Sequence, residues 1–483
     1  MFPAGPTYVQ DDKRESLELA PLAHVHDEYD SRPMASSSAF QSGKPSMFND
    51  KTFQDDTVEN STEVFEEDPL ETVEYPDGGW KAYSTVAASL LGLICAFGIM
   101  NSTGAIESYL EKNTLKTIPT TTISWIFAIY TFLSFGGNLF SGALFDTYGA
   151  KKVAVPGAVL LCGGLLATAS CTQVWQFVLS FGVCCGIGCA LLMAPMVSCI
   201  AHFFKQKRGL ALGIAMPGAS IGGVIWPLVC NSLYPKIGFP WTMRVLGFIF
   251  MGILTTSCLL INDRLDEISN QTSSKSSVWA KVKESIDFKT LKDPVYLILV
   301  GALFMNEFSL ILCFTYIPSY ALDKGYSESF SLIALTVVNA SGVGGRYLPS
   351  HLSDAYGRFN MILAMSAIAT FAVLVLWLPF GKYKPAFVIF CIVYGFATAA
   401  TLALTPLCTS QISKAKDFGK RYGTAYFFVS FGNLICIPIG IALTKTSAGY
   451  NGMLAFAGAG SFCSTLLFVL ARYKLAKFTW KAV

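Results

Sequence analysis

The stretch "GALFDTYGAKK", Gly142–Lys152, sets Asp146, Gly149, Lys151 and Lys152 between two long apolar runs. It also occurs twice. "GGNLFSGALFDTYGA" from Gly136 can be laid without a gap over "GGRYLPSHLSDAYGR" from Gly344, 208 residues further on. The leading glycines coincide, followed by Leu144 with Leu352, Asp146 with Asp354, Tyr148 with Tyr356 and Gly149 with Gly357. So long an offset points to a duplicated half of the chain. Charge at the end of an apolar helix sits in water, where an aspartate can face a helix N-terminus or a lysine across a seam. Glycines let the surrounding backbone approach closely. The stretch therefore reads as a latch between moving parts, with a tight turn carrying topology charges as the plainer alternative.

Outward from this motif the chain is short of charge. Hydrophobic residues make up 53% of its 483 residues and charged residues 14%, with a mean hydropathy of +0.49. Soluble domains carry about 25% charged residues. The charge is also uneven: residues 1–74 hold 17 acids and 5 bases, and the rest holds 15 acids and 30 bases. The acidic stretch has no apolar period and cannot offset its ordering entropy. It is expected to be a disordered cytoplasmic tail, and it lacks the basic start and apolar core of a signal peptide. The 14 cysteines lie mostly in apolar runs without zinc-like spacing, so neither a metal nor a disulfide is expected.

A spanning helix needs about 20 mostly apolar residues. Twelve such segments follow the tail, at 82–106, 123–145, 152–170, 174–203, 209–233 and 241–262, then 294–320, 329–351, 359–380, 385–410, 421–444 and 450–472. The expected fold is thus all-α and integral to the membrane, with twelve transmembrane helices in two pseudo-symmetric six-helix bundles. The expected domains are the tail at 1–74, an N-terminal bundle at 75–262, a cytoplasmic linker at 263–293, a C-terminal bundle at 294–473 and a cytoplasmic C-terminus at 474–483. Lys and Arg concentrate in one set of loops: Lys151 and Lys152; Lys205, Lys207 and Arg208; Arg358; and Lys414, Lys416, Lys420 and Arg421. That set is read as cytoplasmic, with both termini on the same side. In the linker, Trp279, Val282, Ile286 and Leu291 could form the apolar face of a helix lying on the inner leaflet.

A parallel duplication of six spans around a cytoplasmic linker resembles the two halves of major facilitator superfamily transporters. The motif Gly142, Leu144, Asp146, Gly149, Lys151 and Lys152, with Asp354, Gly357 and Arg358 in its repeat, resembles that superfamily's signature between spans 2 and 3. "YPDGGWKAY", Tyr75–Tyr83, is similar to the entry signature of the monocarboxylate porter family. "FGIMNSTGAIESYL", "FKQKRGLALGIAMPGASIGG" and "FPWTMR" resemble its fungal members. The resemblance implies a secondary transporter of a small organic solute working by alternating access. It is expected in the plasma membrane, with a vacuolar or other internal membrane as the alternative. The fungal branch includes a riboflavin importer, so riboflavin is one expected substrate. A monocarboxylate or other organic anion is another, and a non-transporting nutrient sensor on the same fold is a third reading. Animal members carry a lysine in span 1 and an aspartate one turn before an arginine in span 8. Here the span-1 lysine is absent, and Gly342 stands one turn before Arg346.

Ionisable groups inside spans are functional candidates. Glu307 lies about 13 residues into span 7, roughly 20 Å deep at helical rise. Arg346 lies nearer the inner end of span 8, where the first half has Asn138. Its planar fork of donors suits a carboxylate, a phosphate or paired carbonyl oxygens; snorkelling to the interface is the alternative. Asn306, Asn101 and Asn339 are weaker candidates that would serve equally as helix–helix hydrogen bonds. The expected gating residues are Gly142, Asp146, Gly149, Lys151, Lys152, Asp354, Gly357 and Arg358. There are no paired intramembrane acids with metal-ligand spacing, no histidine cluster and no nucleotide-binding Gly-Lys-Ser/Thr loop, which argues against an enzyme or an ATP-driven pump. No cofactor and no nucleic acid are expected. The expected partners are the solute, a co-transported proton and the lipid bilayer, with the chain a monomer.

Overall fold

Twelve long helices run through the computed structural model, which describes residues 75–265, 288–413 and 418–477. The first four are α1 (Trp80–Thr114), α2 (Thr120–Tyr148), α3 (Ala150–Thr168) and α4 (Val174–Phe203). The continuous stretch Arg208–Leu260 divides at Gly238 into α5 (208–237) and α6 (239–260). Then come α7 (Pro294–Asp323), α8 (Glu328–Tyr356), α9 (Arg358–Phe380), α10 (Lys384–Gln411), α11 (Phe418–Thr444) and α12 (Gly449–Ala476). All described residues belong to one compact unit. The acidic tail, the linker positions Trp279, Val282 and Ile286, and Lys414 and Lys416 lie outside the described residues.

Long apolar sequence forces this choice of structure, because without water every backbone N–H and C=O must be satisfied within the segment. Side chains mark the starts. Asp293 accepts from the amides of Val295 and Tyr296 ahead of α7, and Ser327 accepts from Phe330 ahead of α8. Among the described residues, α8 falls short of the apolar composition of the other helices, because it carries Asn339, Ser341, Arg346 and three glycines. Val159, Leu259, Ile389 and Leu470 point outward. Such a belt is a liability in water and a match for lipid tails.

The two halves repeat one packing scheme. In each, the first helix packs on the fifth and sixth, and the fourth packs on the second and third. Small residues permit the approach: Gly98 on α1 meets Gly222 on α5, and Trp226 donates to the Ile94 carbonyl at 2.7 Å. The sixth helix of each half also bonds to the first by the same device. Ser257 donates to the Ala88 carbonyl at 2.7 Å, and Ser464 donates to the Ala302 carbonyl at 2.8 Å. Between the halves, α2 packs on α11 and α5 on α8.

Two boundaries differ from the sequence reading. α1 does not end near residue 106; after a break at Asn101 and Ser102 it resumes and reaches Thr114. The polar run Glu107–Lys116 lowers local hydropathy although the backbone stays helical as far as Thr114. The loop expected between spans 5 and 6 is a single residue, Gly238, at φ 71° and ψ 172°. That region of backbone space is essentially open only to glycine.

Candidate functional site

The repeated motif sits where one helix turns directly into the next. α2 ends at Tyr148 and α3 begins at Ala150, so Gly149 alone makes the reversal, at φ 82° and ψ 172°. Gly357 does the same between α8 and α9, at φ 93° and ψ 140°. Lys151 and Lys152 are exposed, Gly142 is buried and Asp146 is half-buried. Asp354 crosses the seam: its carboxylate accepts from the backbone amides of Gly209 and Leu210, in the first turn of α5. A carboxylate on unsatisfied N-terminal amides is favoured by both hydrogen bonding and the helix dipole. Arg358 reaches Ser410 of α10 at 3.3 Å. We refer to this end of the bundle as the basic end.

Two aspartates that motif reading passed over serve the same end. Asp77, from the "PDGG" entry, accepts from the amides of Lys205, Gln206 and Lys207 at 2.8, 3.0 and 3.3 Å. It clamps the turn between α4 and α5, where Arg208 caps the Phe204 and Ala201 carbonyls. Asp263, just after α6, accepts from the Ala150 amide at 2.7 Å and so caps α3.

Deeper in the bundle a cavity opens between the halves. It is lined on α1 by Met100, Asn101, Thr103, Gly104 and Glu107, and on α2 by Phe127, Thr131 and Phe135. The second half contributes Glu307, Leu310, Ile311, Phe314 and Thr315 from α7, with Leu335, Leu402 and Ile437 from α8, α10 and α11. The break in α1 lies at its wall. Ser102 there donates to the Gly98 carbonyl at 2.7 Å, and Thr103 donates to the Met100 carbonyl at 2.9 Å. Discontinuous helices at depth are tolerated where they border a cavity.

Of the five expected site residues, Glu307 and Asn101 reach the lining. Glu307 is 1% exposed, and neither carboxylate oxygen has a hydrogen-bond partner among the described residues. Asn101 donates to the Ala219 carbonyl of α5 at 3.1 Å. The other three do not line the cavity. Asn306 donates to Thr401 of α10 at 3.3 Å, and Asn339 donates to the Leu335 carbonyl of its own helix at 3.2 Å. Arg346 is 2% exposed; its Nε donates to Ser220 of α5 at 3.0 Å, and one terminal nitrogen is unpartnered. Arg346 and Glu307 feel each other's charge but form no salt bridge. Sequence reasoning missed Glu107, which it had placed beyond span 1, and Asn433, a fully buried α11 amide with both polar atoms unpartnered.

Known proteins are similar to this sequence over most of its length. The model of the Major Facilitator Superfamily matches residues 88–415. The Riboflavin transporter MCH5 of Saccharomyces cerevisiae is 36% identical over 430 residues, covering 86% of this chain and 82% of that protein. MFS-type transporter 1 of an Ophiocordyceps species is 32% identical over 408 residues, covering 84% and 88%. The Aspyridones efflux protein apdF of Emericella nidulans is 30% identical over 394 residues, covering 80% and 77%. Two repeated six-helix bundles, a cavity between them and matches of this extent make the chain a member of the Major Facilitator Superfamily, a multi-pass membrane transporter and not an enzyme.

Proposed function

We propose that the chain imports riboflavin, or a flat and uncharged solute with similar hydrogen-bond donors, across the plasma membrane as a monomer. The basic end faces the cytosol in this reading, on the strength of its lysines and arginines. The carrying observation is the cavity's chemistry. Its lining has two carboxyls, three phenylalanine rings and threonine hydroxyls, with no Lys, Arg or His among the described residues. Such a wall offers an organic anion no basic partner in the lining and receives a ring system with N–H or O–H groups. The similarity to a protein named as a riboflavin transporter supports the same cargo. Glu307 is the proton carrier of this scheme. A buried charge without a hydrogen-bond partner is costly in an apolar interior, and taking up or releasing a proton is the chemistry open to such a carboxyl.

The test is uptake of labelled riboflavin in cells that lack their own flavin import. The full chain is expected to give saturable uptake that rises as external pH falls. Glu307→Gln is expected to flatten that pH dependence while the protein still reaches the surface. Uptake at the vector level overturns the flavin reading. Uptake by Glu307→Gln with an unchanged pH profile removes the proton role and leaves facilitated diffusion.

A further inference from the structure

Glu107 is the cavity's second carboxyl, and it belongs to the opposite half from Glu307. We propose that Glu107, positioned by Ser124, accepts a hydrogen bond from an N–H or O–H donor on the transported solute. This rests on reading the cavity as the transport site. α1 resumes after its break over Thr103–Tyr109, which puts Glu107 on one helical face with Thr103 and Gly104. All three line the cavity. Ser124, in the first turns of α2, donates to one carboxylate oxygen at 2.6 Å. That bond fixes the side chain's direction and leaves the second oxygen for a ligand. It is the sole hydrogen bond that the described residues give the Glu107 side chain.

A carboxylate on a cavity wall is not by itself a binding site. The independent observation is Glu307, buried on α7, unpartnered at both oxygens and lining the same space. The two acceptors stand on different halves with Phe127, Phe135 and Phe314 among the lining. A solute with donors on two of its edges can engage both, and so tie the halves together. No cation is among the groups coupled to Glu107: Glu111 lies on the same helix, and the neutral phenol of Tyr316 lies on α7. The expected ligand class is therefore a neutral or cationic heteroaromatic solute with exposed N–H or O–H groups.

The experiment uses the full chain and has two arms. In the first, Glu107→Cys is treated with a membrane-impermeant cationic thiosulfonate, in intact cells and in inside-out vesicles, over the background of the native cysteines. Modification from one side is expected. No modification from either side overturns the proposal whatever the cargo is, because an acceptor closed to water cannot meet a solute. The second arm measures riboflavin uptake. Glu107→Gln is expected to raise the apparent KM about tenfold or more, the scale of a lost charge-assisted hydrogen bond, with Vmax and surface abundance kept. Ser124→Ala is expected to raise KM by a smaller factor and to add nothing in the Glu107→Gln background. Of two analogues, N3-methylriboflavin and lumiflavin, one is expected to be discriminated against by the wild type and not by Glu107→Ala. A wild-type KM in Glu107→Gln, or unchanged discrimination against both analogues, overturns the proposal. Wild-type failure to carry riboflavin removes the flavin reading alone, and the labelling arm then decides for Glu107.

Discussion

Arg346 occupies a position where duplication did not require charge. Its counterpart, Asn138, turns inward on its own helix and donates to the Ser134 carbonyl at 2.9 Å. Arg346 instead bonds across the seam to Ser220 and keeps a terminal nitrogen unpartnered, in a site 2% exposed. An unsatisfied buried donor is expensive, so a partner for that nitrogen is expected at some stage of transport. Glu307, already within its electrostatic reach, or an acceptor on the solute would supply one. Lys retains the charge but loses the fork. Arg346→Lys is expected to weaken apparent affinity about tenfold, and Arg346→Ala to bring uptake to background, with surface biotinylation normal for both. Wild-type uptake by Arg346→Ala would leave the guanidinium no part in the transport cycle.

At the scale of elements, the repeated hairpins depend on glycine for a definite reason. Gly149 and Gly357 each hold a conformation that costs other residues about 1–3 kcal/mol. At Gly149 an added Cβ would also stand 3.0 Å from the Asp263 carboxylate that caps α3. Gly149→Ala is expected to lower thermal stability in detergent by about 1–3 kcal/mol, read as a fall in Tm, and an unchanged Tm would mean that the turn relaxes freely. These hairpins were legible in the sequence because the motif recurs at one offset and both copies fall between apolar runs. The twelve spans were legible for the same reason that they form, since apolar length and helix are one requirement in lipid. The continuation of α1 was not, because hydropathy falls over "ESYLEKNTLK" while a helix bordering a cavity tolerates polar residues. That one failure hid Glu107. The partner of Asp354 was hidden differently. No local pattern in α8 names Gly209 in the other half, and only the fold brings them together.

At the scale of the whole molecule, among the described residues, the halves are joined by contacts grouped toward the basic end of the seam. On one side they run from Asp354 with Gly209, through Gly213 with Ser350, to Asn339 with Gly223. On the other they run from Gly423 with Leu139, through Phe135 with Tyr426, to Phe132 with Phe431. The first series starts at the basic end, and the second begins further in, at Leu139 of α2. Glu107 and Thr315, which line the cavity, lie on α1 and α7 beyond these contacts. We propose that this is one access state, with the halves closed at the basic end and the cavity beyond the closure. Transport requires this closure to open, with a rocking of one half, 75–262, against the other, 294–473, as the proposed motion. The contact at Gly213 offers a direct test. A Cβ there would lie 3.5 Å from the Ser350 Cβ, within the separation that a disulfide spans. The pair Gly213→Cys with Ser350→Cys is expected to crosslink under mild oxidation and to abolish uptake reversibly, with recovery on reduction. Glu107→Cys added to that pair should remain open to the impermeant reagent while the lock is closed, since the lock and the cavity are at different depths. Full uptake by the oxidised pair would mean that the basic end need not part, and the alternating movement would have to be sought elsewhere in the bundle.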